Sequence, residues 1–286
     1  MKISITLLIL FSSFNLFAQK HKKKQEDLFY LFDAQGNSVK SLEKATTYMV
    51  LIKENDTTYV TRDYQNNGPM IWQQTFKDKD LTIPNGRFVW YDKDGSIDST
   101  GIAINGQKDG VWMFFTPVLY TTHGRIVVND SLIKSTYYQY GKQINKKSYY
   151  GDSDENSALK RTFFKTGVPI SEEEFNLDKT GKKRAAYPTG PKGWRYYLIT
   201  NLNSKLGTLI PAYKKLTDNK APVTTSFIVG KDGSVDDVFI SKSAGYPFDN
   251  EAMRVIKNSG KWIPAQQFGH VVTYRQTQKI IFSASY

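Results

Sequence analysis

From Leu28 to about Tyr150 the chain is built of short stretches rich in Tyr, Phe, Val, Ile and Thr, separated by Gly, Asn and Asp. This punctuation restricts the fold more than any other feature. β-Branched and aromatic side chains suit a pleated, half-buried surface, and Gly, Asn and Asp supply the backbone angles of tight turns. Residues 48–52, 57–61, 87–91 and 111–115 are predicted strands. Turns are predicted at Asn67-Gly68, Asp94-Gly95, Asn105-Gly106 and Asp109-Gly110. Few helical windows occur before residue 190.

A repeat runs through this region. Gly86, Phe88, Trp90 and Tyr91 recur twenty-four positions later as Gly110, Trp112, Phe114 and Phe115. Phe163-Phe164-Lys165-Thr166-Gly167 is a decayed echo. One hairpin cannot bury its own aromatic face, so such a period predicts stacked hairpins with one continuous core. Residues 151–186, with Glu172-Glu173-Glu174 and Lys182-Lys183-Arg184, read as the fading end of the repeat followed by a solvated linker.

A different pattern begins near Tyr187. Trp194, Tyr197, Leu198 and Leu202 follow Pro191 at helical spacing and predict a helix from about Pro191 to Leu202, with proline in its first turn. Val223, Phe227 and Val229 lead to Asp232-Gly233, after which Val235, Val238, Phe239 and Ile240 resume the apolar pattern; Asp-Gly between two such runs marks a hairpin. Asp249 is expected to cap a second helix that buries Ala252, Val255 and Ile256, with Phe248 and Met253 as a hydrophobic staple and Gly260 as the stop. One long final strand is then expected, with Val272, Tyr274, Ile280, Phe282 and Ala284 on a common face. The predicted class is α+β, an N-terminal antiparallel hairpin-repeat sheet over residues 28–150 followed by a small α/β domain over 187–286 built as helix, hairpin, helix, strand.

Composition narrows the function. The apolar run from Ile3 to Phe17 behind Lys2, ending near Ala18, has the layout of a secretory signal peptide over residues 1–18, followed by a basic mature start over 19–27. After it, nothing approaches the roughly eighteen apolar residues of a membrane span. The chain has no cysteine, which removes disulfides, thiol catalysis and a lipidated cysteine, and its three histidines, His21, His123 and His270, are too few for a His-based metal cluster. No nucleophile elbow, phosphate-binding loop or zinc-protease motif occurs, and Asp236 and Asp237, as strand neighbours, point to opposite faces. No enzyme activity and no cofactor are expected. The net charge is +12, and residues 187–286 hold thirteen Lys and Arg against six Asp and Glu. That balance favours acidic protein surfaces, whereas nucleic acid fits an exported chain without a clustered basic helix poorly.

Two resemblances sharpen these expectations. Asn105-Gly106-Gln107-Lys108-Asp109-Gly110-Val111-Trp112 resembles the MORN-type repeats of the bacterial YwqK antitoxin-like family over about residues 63–116, which implies an extended, twisted antiparallel sheet and says little of function. Phe227, Val229, Asp232-Gly233-Ser234-Val235, Val238, Ser243, Gly245-Tyr246-Pro247, Glu251-Ala252, Lys261-Trp262 and Pro264-Ala265 together closely resemble TonB C-terminal domains. In that family the domain grips the TonB box of outer-membrane receptors, so the resemblance implies strand addition here, with the last strand as the receiving edge. The nominated edge is Val271, Thr273, Tyr274, Arg275, Gln276, Thr277, Gln278 and Lys279. An edge strand exposes unpaired N–H and C=O groups in register, so an incoming chain completes the ladder while alternate side chains set selectivity. The competing reading covers this edge with the chain itself or with a homodimer mate.

The expected partner is thus a protein or peptide of the cell envelope, with TonB-dependent outer-membrane receptors as the family's example, and the expected place is the periplasm. A full energy transducer has an uncleaved N-terminal anchor, commonly bearing a histidine, and a long proline-rich spacer. Residues 1–18 hold no histidine, and only ten prolines are scattered through the chain. A periplasmic adaptor is therefore the first expectation; a membrane-anchored transducer and a structural protein acting through its hairpin repeats are the alternatives.

Overall fold

The computed structural model describes residues 27–122, 125–139, 142–148, 163–165, 168–170, 183–213, 216 and 218–284. The expected signal peptide and most of the basic start lie outside them, as does most of the expected linker. The chain divides into an N-terminal unit that ends at Ser148 and a C-terminal unit.

The N-terminal unit is a single antiparallel sheet of nine strands in chain order. They are β1 (Leu28–Phe32), β2 (Thr47–Asn55), β3 (Thr58–Gln65), β4 (Met70–Phe76), β5 (Gly86–Tyr91), β6 (Ile97–Ile104), β7 (Gln107–Thr122), β8 (Arg125–Gln139) and β9 (Lys142–Ser148). Every strand pairs with its sequence neighbour. Ile104 pairs with Gln107, so Asn105-Gly106 is a two-residue hairpin turn as expected. Asn67-Gly68 and Asp94-Gly95 also lie between strands.

Asp109-Gly110 is not a turn. It lies inside β7, where Thr100 pairs with Met113 and Ile102 with Asp109, so Gly101 alone faces Gly110, Val111 and Trp112. The surplus residues form a bulge, and Gly110 takes the positive φ of 62° that it requires. A Cβ on Gly101 would fall 2.1 Å from the Trp112 ring. The indole therefore sits flat on the glycine backbone, with its N–H donated to the Ile102 carbonyl at 3.0 Å.

Four of the six repeated aromatics, Phe88, Trp90, Trp112 and Phe114, lie together on one face. Phe76, Phe88, Ala103 and Trp112 form a buried cluster, with Leu81, Trp90 and Phe114 packed against it. Ring centroids step along it at 5.8 Å from Phe76 to Phe88, 6.0 Å from Phe88 to Trp90 and 5.9 Å from Trp90 to Trp112. Contacts of this kind are the unit from which sheets draw their stability. Two charged groups are buried in β3. Arg62 donates to the Gln73 side chain at 2.9 Å, whereas one oxygen of Asp63 has no partner. Burial pushes the Asp63 carboxyl up to about 6, a rise that a hydrogen bond from Trp72 only partly offsets.

Between the two patterned regions, β10 (Phe163–Lys165) pairs with β11 (Val168–Ile170) as a small hairpin. The C-terminal unit then contains α1 (Gly190–Asn201), a 3-10 helix (Ser204–Ala212), β12 (Lys220–Val229), β13 (Val235–Lys242), α2 (Tyr246–Lys257), β14 (Ala265–Gln267), β15 (His270–Val272) and β16 (Tyr274–Ser283). The order of its main sheet is β13-β12-β16, with β12 central. The amphipathic α2 packs on β12 and β13. Val223, Phe227, Val229, Ile240, Phe248, Ala252, Val255 and Ile256 are fully buried. The Asp232-Gly233 hairpin and the helix opened by Pro191 form as expected.

Two local expectations fail. The N-cap of α2 is Gly245, not Asp249, and Pro247 occupies the first turn. Asp249 is inside the helix, fully buried, and accepts hydrogen bonds from the Ser243 hydroxyl at 2.5 Å and the Ala244 N–H at 3.0 Å. Phe248 is thereby helical and cannot be the outer half of a staple. The expected single last strand is also interrupted. Gln267 pairs with His270, so Phe268 and Gly269, at φ 51° and 77°, turn a small β14–β15 hairpin before β16 begins. Val272 belongs to that hairpin, while Tyr274, Ile280 and Phe282 keep the inward face of β16. The outer side of the hairpin is occupied by the chain itself, because Lys183 pairs with Gln266 and Ala186 with Ile263 through four backbone bonds of 2.8–3.0 Å.

Candidate functional site

β16 is joined to β12 by ten consecutive antiparallel pairs, from Lys220↔Ser283 to Val229↔Tyr274. Among the described residues no strand pairs with its other edge. Its alternation is that of a strand held by one face: Ile280 and Phe282 are buried, while Arg275, Thr277, Lys279 and Ile281 are exposed. Rigid anchoring on β12 keeps the free N–H and C=O groups of the outer edge in register.

The nominated residues divide accordingly. Tyr274, Arg275, Gln276, Thr277, Gln278 and Lys279 all lie in β16, but Val271 lies in β15 opposite Gln266, and Thr273 falls between the two strands. Arg275 is committed to its own sheet. It donates to Asp237 at 2.6 Å and lies 5.3 Å from the centre of the Phe239 ring. Thr277 and Lys279 are exposed.

A groove of about 360 Å³ runs beside the C-terminal half of this edge. Arg195, Leu198 and Ile199 of α1, with Leu202 just past its end, line one wall; Lys279 and Ile281 of β16 line the other. Arg195 stands three and four residues before Leu198 and Ile199, so the three share one side of the helix. Ile199 is 69 % and Ile281 49 % exposed, so both walls present apolar surface to solvent. Neither Arg195 nor Lys279 forms an ion pair with another described residue. The 3-10 helix closes one end of the groove at Gly207, where an added Cβ would lie 2.3 Å from the Ser283 carbonyl oxygen.

α1 is fixed as a wall by two sets of contacts. Trp194 stacks against Tyr197 and lies 5.2 Å from Trp262, whose ring in turn meets Phe227 of β12 at 5.1 Å. At its C-terminal end, Arg254 of α2 donates to the Asn201 carbonyl at 2.6 Å and Glu251 accepts the Asn203 N–H at 2.7 Å. Burial raises the Glu251 carboxyl, but hydrogen bonds from Arg254 and from the Asn203 N–H, with the Arg254 charge, outweigh it and hold the group below the usual carboxylate range. Its hydrogen bond holds Arg254 above the usual guanidinium value, the larger effect against partial burial. Trp262 and Gly233 are therefore structural. The Asp232 side chain braces the turn through Ser234 at 2.6 Å, and Gly233 takes φ 81° while its carbonyl accepts the Trp262 N–H.

Sequence reading missed the α1 half of the groove. Leu198 and Leu202 were read only as positions of a helix, and nothing local ties Arg195 or Ile199 to a strand some eighty residues away. Among the described residues no group of three or more His, Asp or Glu side chains is placed to hold a metal ion.

The C-terminal unit is thus an α+β unit whose last strand, among the described residues, has no strand on its outer edge and lies beside a groove with partly apolar walls. Residues 211–284 match the family described as Gram-negative bacterial TonB protein C-terminal. The match supports a TonB C-terminal domain in this part of the chain and, at the level of the family, a non-catalytic, TonB-related role in envelope transport. It takes in β12 to β16 and leaves out α1 and the nine-stranded sheet. None of the curated proteins and none of the solved structures compared matches the chain. No helix among the described residues is long and apolar enough to cross a membrane.

Proposed function

We propose that the protein is a periplasmic TonB-like adaptor that takes an extended segment of an envelope or outer-membrane transport protein as a fourth strand on the free edge of β16. One observation carries this reading: β16 is fastened along its whole length to β12 and has no strand on its outer side among the described residues. A bound segment gains main-chain hydrogen bonds along Tyr274 to Ile281 without any rearrangement of the sheet. The family match over residues 211–284 supports the same reading. The N-terminal sheet, as a MORN-like array of hairpins, serves as a second docking surface, and residues 1–18 direct export.

The test is amide hydrogen exchange on the full mature chain with and without a synthetic TonB-box peptide. Strand addition slows exchange in β16 and leaves β13, the opposite edge of the sheet, unchanged. Protection confined to β13 or to the nine-stranded sheet would contradict it.

A further inference from the structure

The nine-stranded sheet buries a positive charge for which its described residues supply no counter-charge. Arg62 pairs in register with Val50 on one side and Gln73 on the other, and Gln73 pairs with Val89. All four side chains are buried, as are Val60 and Tyr64 on the same face of β3; Arg62 is 3 % and Gln73 4 % exposed. A guanidinium offers five N–H donors, and here only the one on Nε has a partner, the Gln73 side-chain oxygen at 2.9 Å. That bond fixes the amide, since the reverse orientation would set the amide N–H groups against the Nε–H. Gln73 Nε2 is therefore a donor, and among the described residues it too has no acceptor. Neither Nε2 nor the two Nη nitrogens are among the atoms sealed from solvent without a partner, so they meet water through a narrow opening in a largely apolar surround.

A buried charge is ordinarily met by an opposite one, because bonds to neutral groups do not repay its desolvation. Asp63, next in the chain, cannot serve, since strand neighbours project to opposite faces; its own partner is Trp72, across from it on β4. Arg62 forms no ion pair with any described residue. Arg87, two residues before Val89 on β5, shares the Arg62 face, donates to the Thr100 hydroxyl at 3.1 Å and adds a second positive charge to that face. We propose that this face of β3 and β4 binds a compact oxyanion, a carboxylate or phosphate group, held by the Nη nitrogens of Arg62 and by Gln73 Nε2. The surrounding Val50, Val60, Tyr64 and Val89 exclude water and so strengthen each charge-assisted bond. The site lies in the N-terminal unit and is independent of the strand-addition reading of β16.

Amide exchange on the full chain tests the proposal, with sodium phosphate, sodium acetate and sodium chloride at equal ionic strength as the probes. An anion at roughly ten times its Kd should slow exchange in β3 and β4 about tenfold. Phosphate or acetate should do this and chloride should not; the stronger of the two oxyanions tells a tetrahedral from a planar ligand. Gln73→Glu places a carboxylate against Arg62 from within the fold, so its β3 and β4 should exchange slowly without any oxyanion and gain nothing from one. Arg62→Met, which removes the charge and keeps much of the volume, should also be unresponsive, whereas Lys79→Gln, an exposed charge outside the site, should respond as the parent does. The general salting-out effect of phosphate is common to parent and variants, so the difference between them reads the site. Equal protection by all three salts, or an oxyanion response that survives in Gln73→Glu, would overturn the proposal, and the second result decides even where Arg62→Met fails to fold.

Discussion

Truncating Trp262 to alanine should remove much of the stability of the C-terminal unit and should loosen the groove with it. The indole is 4 % exposed and lies within 5.1–5.7 Å, ring centre to ring centre, of Phe227, Trp194 and Tyr187. It joins the sheet, through Phe227, to α1, through Trp194. Replacing a buried aromatic side chain by alanine costs about 3–5 kcal/mol in lost transfer energy and cavity formation. The indole N–H bond to the Ser259 hydroxyl, 2.9 Å, adds little to that sum, because Ser259 keeps its own bond to the Ile256 carbonyl at 2.7 Å. Small domains are stable by roughly 5–15 kcal/mol, so the loss is a large share of the whole. Trp262→Phe keeps the ring contacts and gives up the N–H and some volume, at about 1–2 kcal/mol. Hydrogen exchange at rising urea concentration, read on fragments from β12 and α2, isolates this unit from the nine-stranded sheet. A Trp262→Ala protein within about 1 kcal/mol of the parent would refute the claim that this residue ties helix to sheet.

Three further substitutions probe the frame around the site. Gly233→Ala should destabilise the C-terminal unit by about 2–4 kcal/mol, since alanine at φ 81° is strained and its Cβ would fall 2.2 Å from the Trp262 carbonyl oxygen; denaturation midpoints report it. Asp249→Ala should cost about 2–4 kcal/mol by removing the acceptor of two buried donors, the Ser243 hydroxyl and the Ala244 N–H, and Asp249→Asn, which retains one acceptor oxygen, should cost less in the same measurement. Asp63 gives a pH signature to the N-terminal sheet. Its carboxyl titrates near 6 in the fold against an ordinary 3.8, so between those values the folded state binds the proton first and stability rises as pH falls. Asp63→Asn should therefore stabilise the sheet above pH 6, by up to about 3 kcal/mol, and give no gain below pH 4; unfolding curves at several pH values show whether the gain disappears in that window.

The parts of the fold legible in the sequence were those decided locally. Asn105-Gly106 and Asp232-Gly233 bring their own positive-φ geometry to a turn, and the two copies of Gly-x-aromatic-x-aromatic-aromatic carry the face they bury. Asp109-Gly110 looked the same and was not, because its place opposite Gly101, beneath the Trp112 ring, makes it a bulge within a strand. Asp249 had the residue type of a cap, but Pro247 and the positive φ of Gly245 started the helix earlier, and the carboxylate became a buried brace. The β14–β15 hairpin was hidden for a related reason: its turn puts Phe268 at φ 51°, which few side chains adopt and no turn propensity announces. For the candidate site, the edge strand was readable because alternation survives in β16. The α1 wall was not readable, since it depends on the Trp194–Trp262 contact and on Arg254 and Glu251 reaching across from α2.

Isotope-filtered NMR on the labelled full chain bound to an unlabelled TonB-box peptide measures most directly whether β16 accepts a strand. The account predicts backbone cross-strand contacts between the peptide and Tyr274 to Ile281, appearing only in the complex. Contacts from that outer edge to the protein's own chain, or to a second copy of it, already present in the free protein, would contradict it.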